Sequence, residues 1–155
     1  LVGLGDVYKR QTIYYGDEAG VCGFTDPDNR RTYPWGHEDK ELIDFHKAAI
    51  KMHKENEVLR TGSYKQLYSA HNVIAYGRFT SDDAVIVVVN NGEDEIRVNI
   101  PAWETGLAMD DDVEQIMVTF EGGYSTDRQG YRLKDGILNI GLRKTSATVL
   151  RRLRW

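Results

Sequence analysis

The sequence predicts an α+β chain, in which a strand–loop–helix unit precedes an antiparallel all-β sandwich domain. Three observations support this fold class. A short β-type run at residues 12–15 leads into a long polar loop, a helical period follows at residues 41–55, and from residue 63 onward short β-type runs alternate with turn signals. The composition changes near Thr61-Gly62, so we expect the first domain to span residues 12–60 and the second to span residues 61–155.

Residues 1–11 precede the first predicted strand and are too short to form a domain. Gly3 and Gly5 begin a pattern that resembles a nucleotide-binding loop, but Tyr8 stands where the third glycine is needed. The segment resembles translated sequencing-adapter sequence, and we interpret it as a non-native leader.

Residues 12–15 read Thr-Ile-Tyr-Tyr and end at Gly16, which is typical of a short buried strand. The polar stretch that follows, residues 16–40, is rich in Gly, Asp and Arg. Structureless loops of this length are uncommon unless they carry function, so this loop is the first place to look for a site.

Residues 41–55 carry the period of an amphipathic helix. Leu42, Phe45 and Ala49 recur at spacings of three and four, which predicts one apolar face. Asp39 stands three residues before Leu42 and is the candidate N-cap.

The second domain contains eight predicted strands. They are residues 64–69, 73–79, 85–89, 95–100, 113–120, 131–134, 137–140 and 147–153. Residues 85–89 are apolar without alternation, which predicts a central strand covered on both faces. Asn91-Gly92 and Asp135-Gly136 are dipeptides typical of two-residue hairpins.

Composition narrows the class of function. The 155 residues are 41% hydrophobic and 28% charged, with a formal net charge of −4, which argues against a nucleic-acid surface. We also expect no membrane partner, because no apolar run has the length of a membrane span. Cys22 is the single cysteine, which excludes an internal disulfide and fits a cytoplasmic location.

The loop carries the residues Asp26-Pro27-Asp28-Asn29-Arg30-Arg31 after Tyr14-Tyr15-Gly16-Asp17-Glu18, and closes on Trp35. This run resembles the segment after the last barrel strand of α-amylase-family glycoside hydrolases, and is most similar to the neopullulanase, cyclomaltodextrinase and maltogenic amylase group. That group usually has Pro before Thr-Ile-Tyr and Pro-Met after the two Arg, whereas this chain has Gln11 and Thr32-Tyr33. The resemblance covers residues 12–155 and is most specific in the loop.

The resemblance implies that residues 12–60 are the last strand–loop–helix of a (β/α)8 barrel, and that the β domain is the C-terminal sandwich of a fragment. It implies retaining cleavage of α-glucosidic bonds in α-glucans, cyclodextrins or pullulan by two carboxylates about 5–5.5 Å apart. No residue here matches the motifs of the family's catalytic carboxylates, so we assign no catalytic residue and expect the chain alone to be inactive. The expected partners are an α-glucan or cyclodextrin substrate and the missing N-terminal barrel.

Asp26 and Arg30 match the family's pair that contacts sugar hydroxyls on the non-reducing side of the cleft, and Tyr15 is expected near the cleft floor. A carboxylate that accepts and a guanidinium that donates in a fixed fork suit adjacent hydroxyls. The spacing alone equally allows a salt bridge that only holds the loop. Asp28 is expected to tighten the turn at Asn29, and Arg31 to pair with an acidic residue elsewhere in the barrel.

No cofactor or metal site is expected, because the four histidines show no metal-ligand spacing. Six aromatic residues are expected to pack: Tyr14, Tyr15, Tyr33, Trp35, Trp103 and Trp155. Two other functions stay open: a non-catalytic carbohydrate-binding β-sandwich module that presents Tyr76, Tyr124 or Tyr131, and an interaction domain that binds no sugar.

Overall fold

The computed structural model describes residues 13–153 and divides into two compact units, one ending at Ile50 and one beginning at Lys51. The division falls inside the first helix, α1 (Lys40–Glu55). The leader predicted at residues 1–11 lies outside the described residues, and the expected domain limits remain predictions.

The strand predicted at residues 12–15 is wrong where it can be compared. Thr12 lies outside the described residues, whereas residues 13–15 run irregularly into a turn in which the amide of Asp17 donates to the carbonyl of Tyr14 at 3.1 Å. A strand needs a neighbouring strand to receive its backbone hydrogen bonds. The described part of the first unit contains no strand that could pair with these residues, and Ile13 is 49% exposed.

The helix predicted at residues 41–55 is confirmed, with α1 beginning one residue earlier. The Asp39 carboxylate accepts the amide of Leu42 at 3.0 Å, as expected of an N-cap. The helix ends because Asn56 is extended and its side chain donates to the carbonyl of Met52 at 2.7 Å. A second helix, α2 (Glu57–Thr61), is too short for its period to be seen in the sequence.

Nine strands occur among the described residues, all in the second unit. They are β1 (Ser63–Ala70), β2 (Val73–Phe79), β3 (Ala84–Asn90), β4 (Ile96–Pro101), β5 (Asp112–Phe120), β6 (Gly123–Ser125), β7 (Gln129–Arg132), β8 (Ile137–Leu142) and β9 (Ser146–Arg152). All eight predicted strands agree with an observed strand within two residues at each end, and β6 was not predicted. The prediction at 131–134 is shifted, because Leu133 leaves the strand and donates to the carbonyl of Asp111 at 2.9 Å.

The strands form two antiparallel sheets. The larger has the order β1-β2-β3-β9-β5-β6, with β7 also paired to β5, and the smaller contains β4 and β8. Ile86 and Leu150 of the larger sheet share one buried cluster with Ile100 and Leu138 of the smaller, so the sheets enclose a common core. The antiparallel sandwich predicted for the second domain is confirmed.

The central position predicted for residues 85–89 is confirmed. β3 is paired on both sides, by β2 and by β9. Ile86 and Val88 face the core, and Val85 on the opposite face is also buried. Burial on both faces explains why the sequence of β3 shows no alternation.

The hairpin predicted at Asn91-Gly92 is wrong. Both edges of β3 are already paired, so the chain crosses to the smaller sheet. The buried side chain of Asn90 holds this crossing: it donates to the carbonyls of Asp94 at 2.9 Å and Arg143 at 2.8 Å, and accepts the amide of Gly92 at 2.9 Å.

The turn predicted at Asp135-Gly136 forms, but without a long hairpin. Both residues have positive φ, 51° and 74°, as a type I′ turn requires. Lys134 and Ile137 exchange backbone hydrogen bonds at 3.1 and 2.9 Å, after which β7 and β8 belong to different sheets. Among the described residues, no helix is both long and apolar enough to cross a membrane.

Candidate functional site

The candidate site is the polar loop of the first unit, which begins at a tight glycine turn. Gly16 has φ 82°, and a Cβ there would lie 2.7 Å from Cγ2 of Val21, so only glycine fits without displacing that side chain. The 3₁₀ turn Asp17–Ala19 follows, and the carbonyl of the buried Ala19 accepts the amide of Asp39 at 3.2 Å. These contacts tie the start of the loop to the N-cap of α1.

Asp26 and Arg30 contact each other directly. The Arg30 Nε lies 3.1 Å from Asp26 Oδ1 and its Nη2 lies 3.3 Å from Oδ2, so the guanidinium meets the carboxylate as a fork. The side chains are 62% and 68% exposed. At this exposure the pair adds little to stability and both groups keep open hydrogen-bonding positions.

Asp28 and Arg31 form a second pair in the same loop. Arg31 Nη2 lies 2.6 Å from Asp28 Oδ1, and Asp28 Oδ2 accepts the amide of Phe24 at 3.0 Å. The hydrogen bonds from Arg31 and then from Phe24 lower the pKa of the Asp28 carboxyl, so it is an ionised acceptor at neutral pH. Asp28 therefore ties Phe24 to Arg31, and Arg31 has its acidic partner inside the loop rather than elsewhere.

Tyr15 reaches the same part of the loop. Its hydroxyl donates to the carbonyl of Arg31 at 3.2 Å, while its ring lies against Tyr14 with centroids 4.8 Å apart. The structure thus brings Tyr15 into contact with Arg31, the neighbour of Arg30, although Tyr15 stands sixteen positions before Arg31 in the sequence. Both tyrosines are more than one third exposed, so the contact between their rings leaves part of each ring open to solvent.

Exposed aromatic side chains surround the charged pairs in the sequence. Trp35, expected to pack, is 80% exposed and lies against Tyr33 with ring centroids 4.6 Å apart. Phe24, which sequence reasoning did not single out, is 87% exposed. The feature of the sequence that could have pointed to Phe24 is its position two residues before Asp26. Exposed aromatic faces and paired charges together suit a ligand that offers both C–H surface and hydroxyls.

The charged pairs of the loop are held by hydrogen bonds. Both aspartates are engaged by arginines. The first unit also contains a cavity of about 280 Å³, which includes Cys22, Arg31 and His37 in its lining. Within residues 13–153, no group of three or more His, Cys, Asp and Glu side chains is placed to hold a metal ion. The described loop therefore places paired charges and exposed aromatic rings close together in the sequence.

Other aromatic predictions concern the second unit. Tyr76 lies on the outward face of β2 with its ring 5.5 Å from that of Tyr64. Trp103, expected to pack, is 48% exposed. Tyr131 lies at the inner face of β7 and lines a cavity of about 370 Å³. Trp155 lies outside the described residues.

Comparisons with known proteins connect the chain to one group of enzymes. No family model matches the sequence. The chain is 45% identical over 93 residues to an amylopullulanase from Thermoanaerobacter thermohydrosulfuricus, covering 53% of this chain and 6% of that protein. It is 43% identical over 81 residues to a cyclomaltodextrinase from Thermoanaerobacter pseudethanolicus, covering 51% and 14%. Over 98 residues it is 34% identical to neopullulanase 2 from Thermoactinomyces vulgaris, covering 61% and 17%.

Solved structures show the same fold. The α-amylase from Geobacillus thermoleovorans in complex with acarbose has a TM-score of 0.75 at 23% identity, covering 91% of this chain and 29% of that one. An Anoxybacillus α-amylase has a TM-score of 0.74 at 25% identity, covering 92% and 28%. The chain thus spans less than one third of each of these structures, and less than one fifth of each sequence relative named above.

Proposed function

We propose that the chain is the C-terminal part of a glycoside hydrolase that cleaves α-glucosidic bonds in α-glucans, cyclodextrins or pullulan. The proposal rests on the similarity of the chain to the amylopullulanase, cyclomaltodextrinase and neopullulanase group of α-amylase-family enzymes. The proposed mechanism is retaining, with two carboxylates. Those carboxylates would lie in a preceding (β/α)8 barrel, of which residues 12–60 would be the last strand–loop–helix unit.

In this proposal the loop is one wall of the substrate cleft. Asp26 and Arg30 contact sugar hydroxyls, and Tyr15 lies near the cleft floor. The observation that carries this role is the exposed fork between Arg30 and Asp26, which leaves acceptor and donor positions open side by side. The second domain is a structural β sandwich. The single exposed cysteine, Cys22, is the basis for proposing a cytoplasmic location.

Sequencing the DNA that flanks the coding frame tests the proposal directly. We expect an upstream frame that encodes a barrel with catalytic carboxylates, and an upstream frame without them removes the proposal. We also expect this chain by itself to release no reducing sugar from cyclomaltodextrin or pullulan. Appreciable hydrolysis by the purified chain would contradict the assignment of the catalytic groups to a missing part.

A second candidate function is a non-catalytic carbohydrate-binding module formed by the β domain. The observation that favours it is the cavity lined by Tyr131, since cavities of about 300–1,000 Å³ are typical of small-molecule sites. Affinity electrophoresis of the chain through a starch gel tests this function. Migration unchanged by starch excludes the module.

A further inference from the structure

The cavity lined by Tyr131 lies over the inner face of the larger sheet. Ser146 and Thr148 of β9 alternate with Leu150, so they occupy core-facing positions, and Gln115 of β5 pairs with Leu150 on the same face. All three polar residues are more than nine-tenths buried. Burying a polar group costs free energy unless hydrogen bonds within the protein replace those it made to water. Apolar residues would fill the core at these positions without that cost, so the three polar residues require an explanation.

Hydrogen bonds hold the polar lining in place. The Gln115 side-chain amide donates to the carbonyl of Asp127 at 3.0 Å, and the Ser146 hydroxyl donates to the carbonyl of Arg143 at 2.7 Å. The amide of Asp127 donates to the Ser125 hydroxyl at 2.9 Å. These bonds use only part of the lining's capacity, because an amide oxygen and each hydroxyl oxygen can accept further hydrogen bonds. A lining fixed in advance binds with a smaller loss of conformational entropy.

The charges of the lining indicate an uncharged ligand. Asp127 and Arg143 are the ionisable residues of opposite sign that line the cavity, so their formal charges cancel. The Arg143 guanidinium lies over the face of the Phe120 ring, 5.6 Å from the ring centroid. The Tyr131 ring adds an aromatic surface, and burial raises the pKa of its phenol, which therefore stays protonated and can donate at neutral pH.

We propose that this cavity, formed by β5, β6, β7, β9 and the end of β8, binds the uncharged sugar units of an α-glucan chain. Hydroxyls in the lining, amide and carboxylate acceptors, a guanidinium donor and an aromatic ring match a ligand that presents hydroxyls on every side and C–H groups on its ring faces. The α-glucan identity of the ligand rests on the proposed function, whereas the site itself rests on the buried polar lining.

Titration of the full 155-residue chain with maltotriose, followed in ¹H–¹⁵N NMR spectra, tests this site. We expect saturable shifts of the Thr148 and Gln129 amides and of the Gln115 side-chain amide, with maltotriose raised to about 10 mM so that a millimolar Kd is covered. Thr148→Val removes a hydroxyl and keeps the shape of the side chain. It should weaken binding by about tenfold, the effect of losing one hydrogen bond.

Tyr131→Ala and Tyr76→Ala form a matched pair. Both tyrosines are partly buried in the larger sheet, but Tyr76 points to the opposite face. We expect Tyr131→Ala to weaken maltotriose binding and Tyr76→Ala to leave it unchanged. Tyr131→Ala can loosen the core. Thr148→Val therefore serves as the second test, and an unchanged dispersion of its NMR spectrum shows that this variant is folded.

The outcomes separate this site from the function of the loop. Shifts confined to residues 24–35 would support loop contacts and overturn the cavity site. Shifts confined to the cavity would support the site and count against Asp26 and Arg30 as contacts in this chain. The absence of saturable shifts in the cavity, or equal shifts with the β-linked cellotriose, would overturn the proposal.

Discussion

At the scale of single residues, two Asp–Arg pairs with the same chemistry differ in environment. Asp26 and Arg30 are more than 60% exposed in the loop. The Asp83 and Arg151 side chains of the β domain are 10% and 31% exposed, with Arg151 Nη2 lying 2.7 Å from Asp83 Oδ2. Water competes strongly with the first pair and weakly with the second. The first pair is therefore available to a ligand, and the second stabilises the sandwich.

Asp83→Ala should lower the free energy of unfolding by about 1–3 kcal/mol. The substitution leaves a partly buried guanidinium without its carboxylate and removes the acceptor for the amide of Ala84. Urea unfolding measures the change. The matched control is Asp110→Ala, whose exposed carboxylate lies 3.4 Å from Arg132 and should contribute less than about 0.5 kcal/mol. Equal effects of the two substitutions would contradict the role of burial.

At the scale of elements, turns decide which strands become neighbours. Asp135-Gly136 forms a tight turn, yet the strands on either side of it join different sheets. The turn also packs closely: the amide of Trp103 donates to the carbonyl of Gly136 at 3.0 Å, and the amide of Gly136 donates to the carbonyl of Met109 at 2.8 Å. This short turn therefore connects three segments of the β domain.

Gly136→Ala should destabilise the domain by about 2–4 kcal/mol, because both its backbone and its surroundings exclude a Cβ. The residue has φ 74°, and an added Cβ would lie 2.7 Å from Cβ of Trp103. Gly130→Ala in β7 is the control, since its φ is not positive and nothing lies within 4 Å of the added Cβ. Thermal unfolding of both variants measures the difference. A Gly136→Ala variant as stable as Gly130→Ala would contradict the turn geometry.

At the scale of the whole molecule, hydrogen bonding is unevenly distributed along the chain. The strands β3 and β9 are each paired on two sides and contribute to the common core. Residues 21–36 contain one three-residue 3₁₀ turn and are mostly exposed. Segments with few buried contacts open at a lower free energy than core strands.

Native-state hydrogen exchange should therefore show slow exchange in β3 and β9 and fast exchange in residues 21–36. Leu150→Ala removes a fully buried side chain and should lower the free energy of exchange in β3 by about 2–5 kcal/mol, while exchange in the loop stays unchanged. Mass spectrometry of the wild-type chain and of this variant measures both effects. Uniform protection along the chain would contradict the expected difference.

The sequence by itself determined the local elements and the resemblance to one enzyme group. The period at residues 41–55, the cap at Asp39 and most strand limits are local properties, since side-chain spacing and capping act within a few residues. Relatives named amylopullulanase, cyclomaltodextrinase and neopullulanase confirm that group. The roles of Asp26, Arg30 and Tyr15 as substrate contacts remain predictions.

Tertiary structure alone decided the pairing of strands and the position of polar groups relative to the core. Asn91-Gly92 has the composition of a hairpin turn, but both edges of β3 are occupied, so the chain crosses to the second sheet. Residues 13–15 have the composition of a strand, but the described part of the first unit offers no neighbouring strand. Gln115 and Thr148 face the core only because the register of β5, β9 and β3 places them there. Such contacts join residues far apart in sequence, and local propensity carries no information about them.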